Sequence, residues 1–212
     1  MGEHIVLCDQ AGLDYFCVVT QIEKSKVHCK ITSSQKNAAE PSVRVHLFQA
    51  LPKADKMAEI IEKCVELGID GITPVVAARC VAKPSPRENN KTERGQKIAE
   101  AAAKQSGRGK IPKINAPIAL DEAIRLAKTH GASFVCYELE KDLHLKDFLR
   151  KTGDINNLAF FIGPEGGFTG AEAALFKQNA IPAVTLGPRI LRTQTAGPAV
   201  LANILYELER KP

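Results

Sequence analysis

Two short segments near the C-terminus hold residues that could do chemistry. One is Phe161-Ile-Gly-Pro-Glu-Gly-Gly-Phe-Thr169 and the other is Leu186-Gly-Pro-Arg-Ile-Leu-Arg-Thr-Gln-Thr-Ala196. Each follows a short apolar run and precedes a helix-like stretch, so Gly and Pro fall where a strand would stop. Backbone this bare lets a ligand approach amides and carbonyls closely. Two such loops close together in the chain suggest one pocket built from both. Neither a G-x-G-x-x-G nor a G-x-x-x-x-G-K-[ST] pattern occurs, so neither a dinucleotide fingerprint nor a P-loop is supported. Glu165 argues further against a phosphate cradle, because a carboxylate repels an anion. It suits a cationic ligand or proton transfer. The same glycines would also serve a plain strand-to-helix turn.

In Arg189-Ile-Leu-Arg192 two apolar residues stand between two arginines. Ile190 and Leu191 could wall a flat ring while a guanidinium stacks on or bonds to something planar or anionic; equally, they could be core residues flanked by surface arginines. Thr195 reads as an N-cap for the last helix. Upstream, Lys104-Gln-Ser-Gly-Arg108-Gly-Lys110 ends a helix with cations, which the helix dipole alone would favour, and Lys53 and Lys56 open one, where cations are mildly unfavourable and hint at a partner. The five histidines (4, 28, 46, 130, 144) show no metal spacing and read as surface or turn residues. Six cysteines form no C-x-x-C pair, so no metal site is expected, and a reduced, cytoplasmic protein is the simplest reading.

These residues need elements to position them. The first 32 residues read as three short β-branched strands, His4–Cys8, Tyr15–Ile22 and Val27–Ile31, followed by a polar linker over 32–42. From Val43 onward, strand-like and helix-like stretches alternate, which predicts a parallel sheet covered on both faces. Lys53–Leu67 carries apolar residues at helical spacing, and Gly68 stops it. Asp121 reads as the cap of a helix closed by Gly131, and Thr169-x-x-Glu172 as a capping box. Leu158–Ile162 is a fully apolar strand. No apolar run approaches the roughly 20 residues that span a bilayer, and no secretion signal is visible.

Charge is uneven. The chain carries a net +5, yet residues 83–113 alone hold nine Lys/Arg against three Glu. A local basic stripe points to a polyanion; it would also serve as a solvated helix face.

The two Gly/Pro segments resemble the ribosomal RNA small-subunit methyltransferase E family of SPOUT methyltransferases. Lys53-Ala-Asp-Lys-Met57, Lys63-Cys-Val-Glu-Leu-Gly-Ile69, Arg79-Cys80 and Ala101-Ala-Ala-Lys-Gln-Ser-Gly-Arg108 match in the family's order. The resemblance implies an α/β SPOUT-type parallel sheet with a C-terminal deep trefoil knot over 43–212, preceded by a partial PUA-like β domain over 1–36. It implies S-adenosylmethionine-dependent methylation of N3 of one uridine in 16S rRNA of the small ribosomal subunit by a homodimer. Leu139, Ile162, Gly163, Gly166, Gly167, Leu186, Gly187, Ile190, Leu191, Arg192, Thr193 and Ala196 would hold the donor. Arg192 and Glu165 would be catalytic. Lys53, Lys56, Arg79, Arg108 and Lys110 would hold RNA. Two departures stand out: the chain opens in what looks like the middle of the PUA-like domain, and Gln194 replaces the family's Glu. Two other readings fit the same residues, a SPOUT enzyme acting on tRNA or another nucleotide, and a non-catalytic ribosome-associated RNA-binding module.

Overall fold

The structure is a computed structural model and describes residues 2–53, 55–81 and 88–209, with the backbone alone at 88 and 89. Its first part is a three-stranded antiparallel sheet, β1 (His4–Cys8), β2 (Leu13–Ile22) and β3 (Val27–Lys36). The third strand runs beyond the expected Ile31, because cross-strand pairing continues from Ile22↔Val27 to Leu13↔Lys36 and takes up the polar residues Ser33 to Lys36. Local composition alone marks that stretch as linker; the ladder overrides it.

The remainder alternates strand and helix. Strands β4 (Arg44–Ala50), β5 (Gly71–Val76), β6 (Lys113–Ile114), β7 (Ile118–Ala119), β8 (Ala132–Cys136), β9 (Asn157–Ile162) and β10 (Ala183–Val184) form one sheet. Its order is β10-β8-β9-β4-β5-β6, with β7 also on β5, and every pairing is parallel. The helices are α1 (Lys56–Glu66), α2 (Glu88–Gln105), α3 (Leu120–Ala127), α4 (Leu145–Thr152), α5 (Gly170–Gln178) and α6 (Thr193–Leu208). The expected α/β architecture is therefore present. The two-residue strands β6 and β7 are too short to leave a periodic trace in the sequence.

The two-residue period of the strands sorts their side chains onto two faces. Val45 and Leu47 of β4, with Leu158, Phe160 and Ile162 of β9 and Phe134 of β8, join α1, α2, α4 and α6 in one core. Phe48 and Ala50, with Ala159, Phe161 and Val135, join α3 and α5 in the other. Strand β9 is apolar from Leu158 to Ile162 because it is buried on both sides, and β4 is mostly apolar for the same reason, with His46 and Gln49 as its polar exceptions beyond the exposed Arg44.

Helix ends follow the chemistry of their caps. Thr169 and Glu172 form the expected capping box: Thr169 N–H donates to Glu172 Oε2 at 2.7 Å and Glu172 N–H to Thr169 Oγ1 at 3.2 Å. Two other expected caps are corrected. Asp121 stands inside the first turn of α3, whose N-cap is Ala119 with no side-chain cap bond. Helix α6 starts two residues before Thr195, with Arg192 at its N-cap. Thr193 Oγ1 donates to Gly163 O at 2.8 Å, and this tie draws the helix start toward the glycine turn.

His46 is also corrected, from surface to interior. It lies on β4 between Thr73 and the His130 ring, with its Nε2 2.8 Å from Thr73 Oγ1. Asn115 Nδ2 donates to the same hydroxyl at 2.8 Å, leaving the Thr73 proton free to go to a neutral imidazole. Burial, reinforced by repulsion from His130, lowers the His46 pKa to about 4. The unfolded chain therefore binds the proton first, and stability is lost as the pH falls from about 6.5 through 4. Chemical denaturation across this window should show a loss of about 3 kcal/mol at most from this group, at ~1.4 kcal/mol per pH unit. His46→Gln should flatten the slope there.

Candidate active site

Three strands deliver their C-terminal ends to one place, as open parallel sheets do for ligands. There β8 ends at Cys136, β9 at Ile162 and β10 at Val184, and the loops that follow enclose a cavity of about 410 Å³. That size falls within the range of small-molecule sites, about 300–1,000 Å³. Ile162, Gly163, Gly166 and Gly167 form one wall, with Pro164 and Glu165. Leu186, Gly187, Ile190, Leu191, Arg192, Thr193 and Ala196 form another, with Arg189. The two loops singled out in the sequence thus meet.

The third wall, Cys136, Tyr137 and Glu138, lacks an equivalent sequence signal, since a single Tyr-Glu after a strand has no diagnostic spacing. It explains why Gly167 must be glycine. Gly167 has φ +66°, and a Cβ there would come within 2.2 Å of Glu138 Oε1. Gly187, at φ +97°, faces open space on the other wall. Leu139 stands just beyond this wall, 67% exposed, and does not line the cavity.

Ile190 and Leu191 divide the two roles that the sequence leaves open for them. Ile190 is 78% exposed at the cavity mouth, whereas Leu191 also packs on the core. Arg192 is exposed at the lip, at the start of α6. Gln194 keeps its Oε1 buried without a hydrogen-bond partner among the described residues. A carboxylate's charge would cost more at that spot than the neutral amide does.

Glu165 is held by the segment that opens α1. Lys56 Nζ donates to its Oε1 at 2.8 Å, and Lys53 N–H donates to the same oxygen at 3.1 Å. Burial pushes the Glu165 carboxyl up, but Lys56 and the N–H groups of Glu165 and Lys53 outweigh it and hold the pKa below the ordinary carboxylate value. Arg79 Nη1 donates to Gly166 O at 2.6 Å, and its own loop is pinned by Ala78 N–H on Glu172 Oε1 at 2.8 Å.

The residues expected to hold RNA separate. Lys53 and Arg79 are exposed beside the glycine turn, while Lys56 is committed to Glu165. Arg108 lies elsewhere, with a side chain 3% exposed. Its Nη1 donates to Val65 O at 3.2 Å and Ile69 O at 2.7 Å, and its Nη2 to Glu40 Oε2 at 3.0 Å. An RNA-holding role does not fit this placement. Instead, the 107–110 loop docks the small β sheet: Asn37 Nδ2 donates to Gly107 O at 3.0 Å, Cys8 Sγ lies 2.8 Å from Gly109 O, and Lys110 N–H donates to Glu40 Oε1 at 3.0 Å. Of the basic stripe, Lys83 and Arg87 lie outside the described residues; Arg94 pairs loosely with Asp55 at 3.5 Å, both exposed. Among the described residues, no cluster of three or more His, Cys, Asp or Glu could hold a metal ion, and no helix is long and apolar enough to cross a membrane.

A parallel sheet with a bare-loop cavity at its C-terminal edge and an arginine at the lip defines a class. The RNA methyltransferase domain family model matches residues 39–205. The chain is similar to the ribosomal RNA small subunit methyltransferase E of Bacillus subtilis, 32% identical over 98% of this chain and 83% of that protein. Its similarity to the Synechocystis protein of the same name is 31%, over 98% of this chain and 67% of that one. It also resembles a crystal structure of a ribosomal RNA small subunit methyltransferase E from Neisseria gonorrhoeae bound to S-adenosyl methionine, at TM-score 0.84 and 29% identity, over 98% of this chain and 84% of that one. The chain belongs to the ribosomal RNA small subunit methyltransferase E family.

Arg108 supplies a test of the site's limits. Arg108→Ala leaves Glu40 and two carbonyls without their cation and should lower the unfolding free energy by about 3–5 kcal/mol in a urea titration. The salt dependence of RNA binding by the folded variant should match that of the unaltered chain.

Proposed function

We propose that this chain is an S-adenosylmethionine-dependent methyltransferase that modifies N3 of a uridine in 16S rRNA of the small ribosomal subunit. The observation that carries this reading is a cavity walled by bare backbone and aliphatic side chains, without a phosphate cradle, opening beside Arg192. The residues present fit the donor. Ile162, Leu186, Leu191 and Ala196 offer apolar surface for a flat base. Gly163, Gly166, Gly167 and Gly187 leave backbone groups approachable, and Thr193 fixes Gly163. Ile190 flanks the mouth. When bound, the donor supplies an activated methyl group.

The chain's own task is to align the base and ease loss of the N3 proton. Arg192, exposed at the lip, is placed to stabilise the imide anion that develops over N3, O2 and O4. Its positive charge lowers the energy of that anion, so the N3 proton passes to water at the open mouth. The target uridine must leave its stack to reach the cavity. Lys53, Arg79 and Lys110, with the stripe along α2, would hold phosphates.

The wider reading comprises a cytoplasmic homodimer, a PUA-like unit over 1–36 and a knotted methyltransferase domain over 43–212. Support for the knot comes from the chain's path. After β10 at the sheet edge the chain returns through 185–192, and α6 then packs on α1 and against β4 and β9 in the middle of the sheet. For the homodimer, exposed Tyr206 lines a groove of mixed character, with Leu145, Leu149 and Val200 at its floor and Lys146, Arg189 and Glu207 among its polar lining.

The deciding experiment is methyl transfer from radiolabelled donor to unmodified 30S subunits, free 16S RNA and tRNA, with mapping of the modified base. Label at a uridine N3 of 16S RNA is expected; label in tRNA instead would shift the substrate, and no donor uptake would favour a non-catalytic RNA-binding module. Arg192→Ala should reduce turnover by about 10²–10³-fold, the scale of losing an anion-stabilising donor. Calorimetric affinity for S-adenosylhomocysteine should stay within several-fold. Binding of 16S RNA should weaken with salt by about one log–log unit per phosphate contact. A flat response would remove the basic face from the interface.

A further inference from the structure

The glycine turn after β9 has little to hold itself in place. Four of its five residues are Gly163, Pro164, Gly166 and Gly167, and its one internal backbone bond runs from Gly167 N–H to Pro164 O at 2.9 Å. Glycine-rich backbone loses the most conformational freedom on ordering. If only a fraction of molecules hold the turn in its binding shape, apparent affinity falls by that fraction. The turn is instead fixed by neighbours. Thr193 Oγ1 donates to Gly163 O, and Gln49 Nε2 in turn donates to Thr193 Oγ1 at 2.9 Å. Arg79 donates to Gly166 O. Between these two ties Glu165 reaches to the loop that opens α1, accepting from the Lys53 N–H and the Lys56 ammonium.

This geometry runs against proton transfer by Glu165. A proton acceptor needs a lone pair directed at the substrate, and here a cation and a backbone N–H occupy Oε1, with Oε2 also 3.3 Å from Lys53 N. Lys56 is correspondingly spoken for, although it lines the cavity. Both side chains are about a quarter exposed, 27% for Lys56 and 25% for Glu165, so the pair is partly sheltered from solvent.

We propose that Glu165 is a positioning residue, forming with Lys56 a strut that holds the glycine turn in its donor-binding shape, and that it is not the proton acceptor of the reaction. The proposal rests on the donor-binding reading of the cavity. It assigns the two residues to one job, so losing either should have the same effect as losing both.

The test combines calorimetry, kinetics and hydrogen exchange on Glu165→Gln, Lys56→Met, Lys56→Arg and the Glu165→Gln/Lys56→Met double variant. S-adenosylhomocysteine affinity should fall about 3–30-fold in each single loss, and no further in the double variant, as expected for coupled partners. Lys56→Arg should restore most of it. Turnover of Glu165→Gln at saturating donor should stay within several-fold, with its pH–rate profile unshifted. A collapse of turnover with unchanged affinity, or loss of a limb from that profile, would make Glu165 the base and overturn the proposal, as would additive losses. Amide exchange over 163–168, measured without any donor, should quicken in Glu165→Gln and Lys56→Met alike; unchanged exchange sinks the strut. If the unaltered chain takes up no S-adenosylhomocysteine, the donor reading falls, while the exchange result still decides the strut.

Discussion

A backbone that must stay bare to be approached cannot stabilise itself, and much of the site's construction answers to that constraint. The stretch from Gly163 to Gly167 has no long side chain except Glu165, and Gly167 adopts a conformation that L side chains rarely take. Its shape is imposed from four directions. Thr193 reaches it from the start of α6, Arg79 from the loop after β5, the Lys53–Lys56 segment from the start of α1, and Glu138 presses on Gly167 from the end of β8. The Thr193 and Arg79 ties put a polar side chain on a backbone carbonyl, the kind of bond that keeps irregular backbone satisfied, while Lys53 N–H and the Lys56 ammonium hold the turn through the Glu165 carboxylate.

Those four neighbours can converge because the strands behind them are rigid. Strands β4 and β9 are paired over six residues and buried on both faces by separate cores. Stacked aromatic rings cross both seams of β9: Phe48 of β4 lies 4.7 Å from Phe161, and Phe134 of β8 lies 5.9 Å from Phe160. Such packing leaves the strand ends little freedom, so the loops start from defined points. The small antiparallel sheet is tied to the same frame through Arg108, whose guanidinium joins Glu40 to the end of α1 and the loop after it. One cation thus links the segment that leaves the small sheet to the helix whose first turn braces the cavity.

Much of this was legible in the chain itself. Alternating apolar runs specify an α/β fold, since a strand buried on both faces is apolar at most positions and a covering helix at every third or fourth. Bare Gly/Pro segments after two of those runs mark the cavity, because strand ends are where an open parallel sheet leaves room. The Thr169–Glu172 cap was legible too, being a local bond between residues three apart. Where the reading failed, a distant partner had decided the outcome. Strand β3 outlasts its local composition because β2 pairs with it, Asp121 is not a cap, and His46 is interior because the sheet places it between Thr73 and His130.

Charge shows the same division most sharply. Amino-acid type determined that Glu165, Lys56, Arg79, Arg108 and Arg192 would be charged, and the flanking motifs determined that they belong to one kind of protein. Their jobs could not be read from type or spacing, because a charged side chain takes its role from whatever partner lies within about 3 Å. Residues 56 and 165 are far apart in the chain, as are 40 and 108, and only folding makes them pairs. Tertiary structure therefore turned Arg108 into a buried tie and brought Lys56 and Glu165 together, and it left Arg192 exposed at the mouth of the cavity.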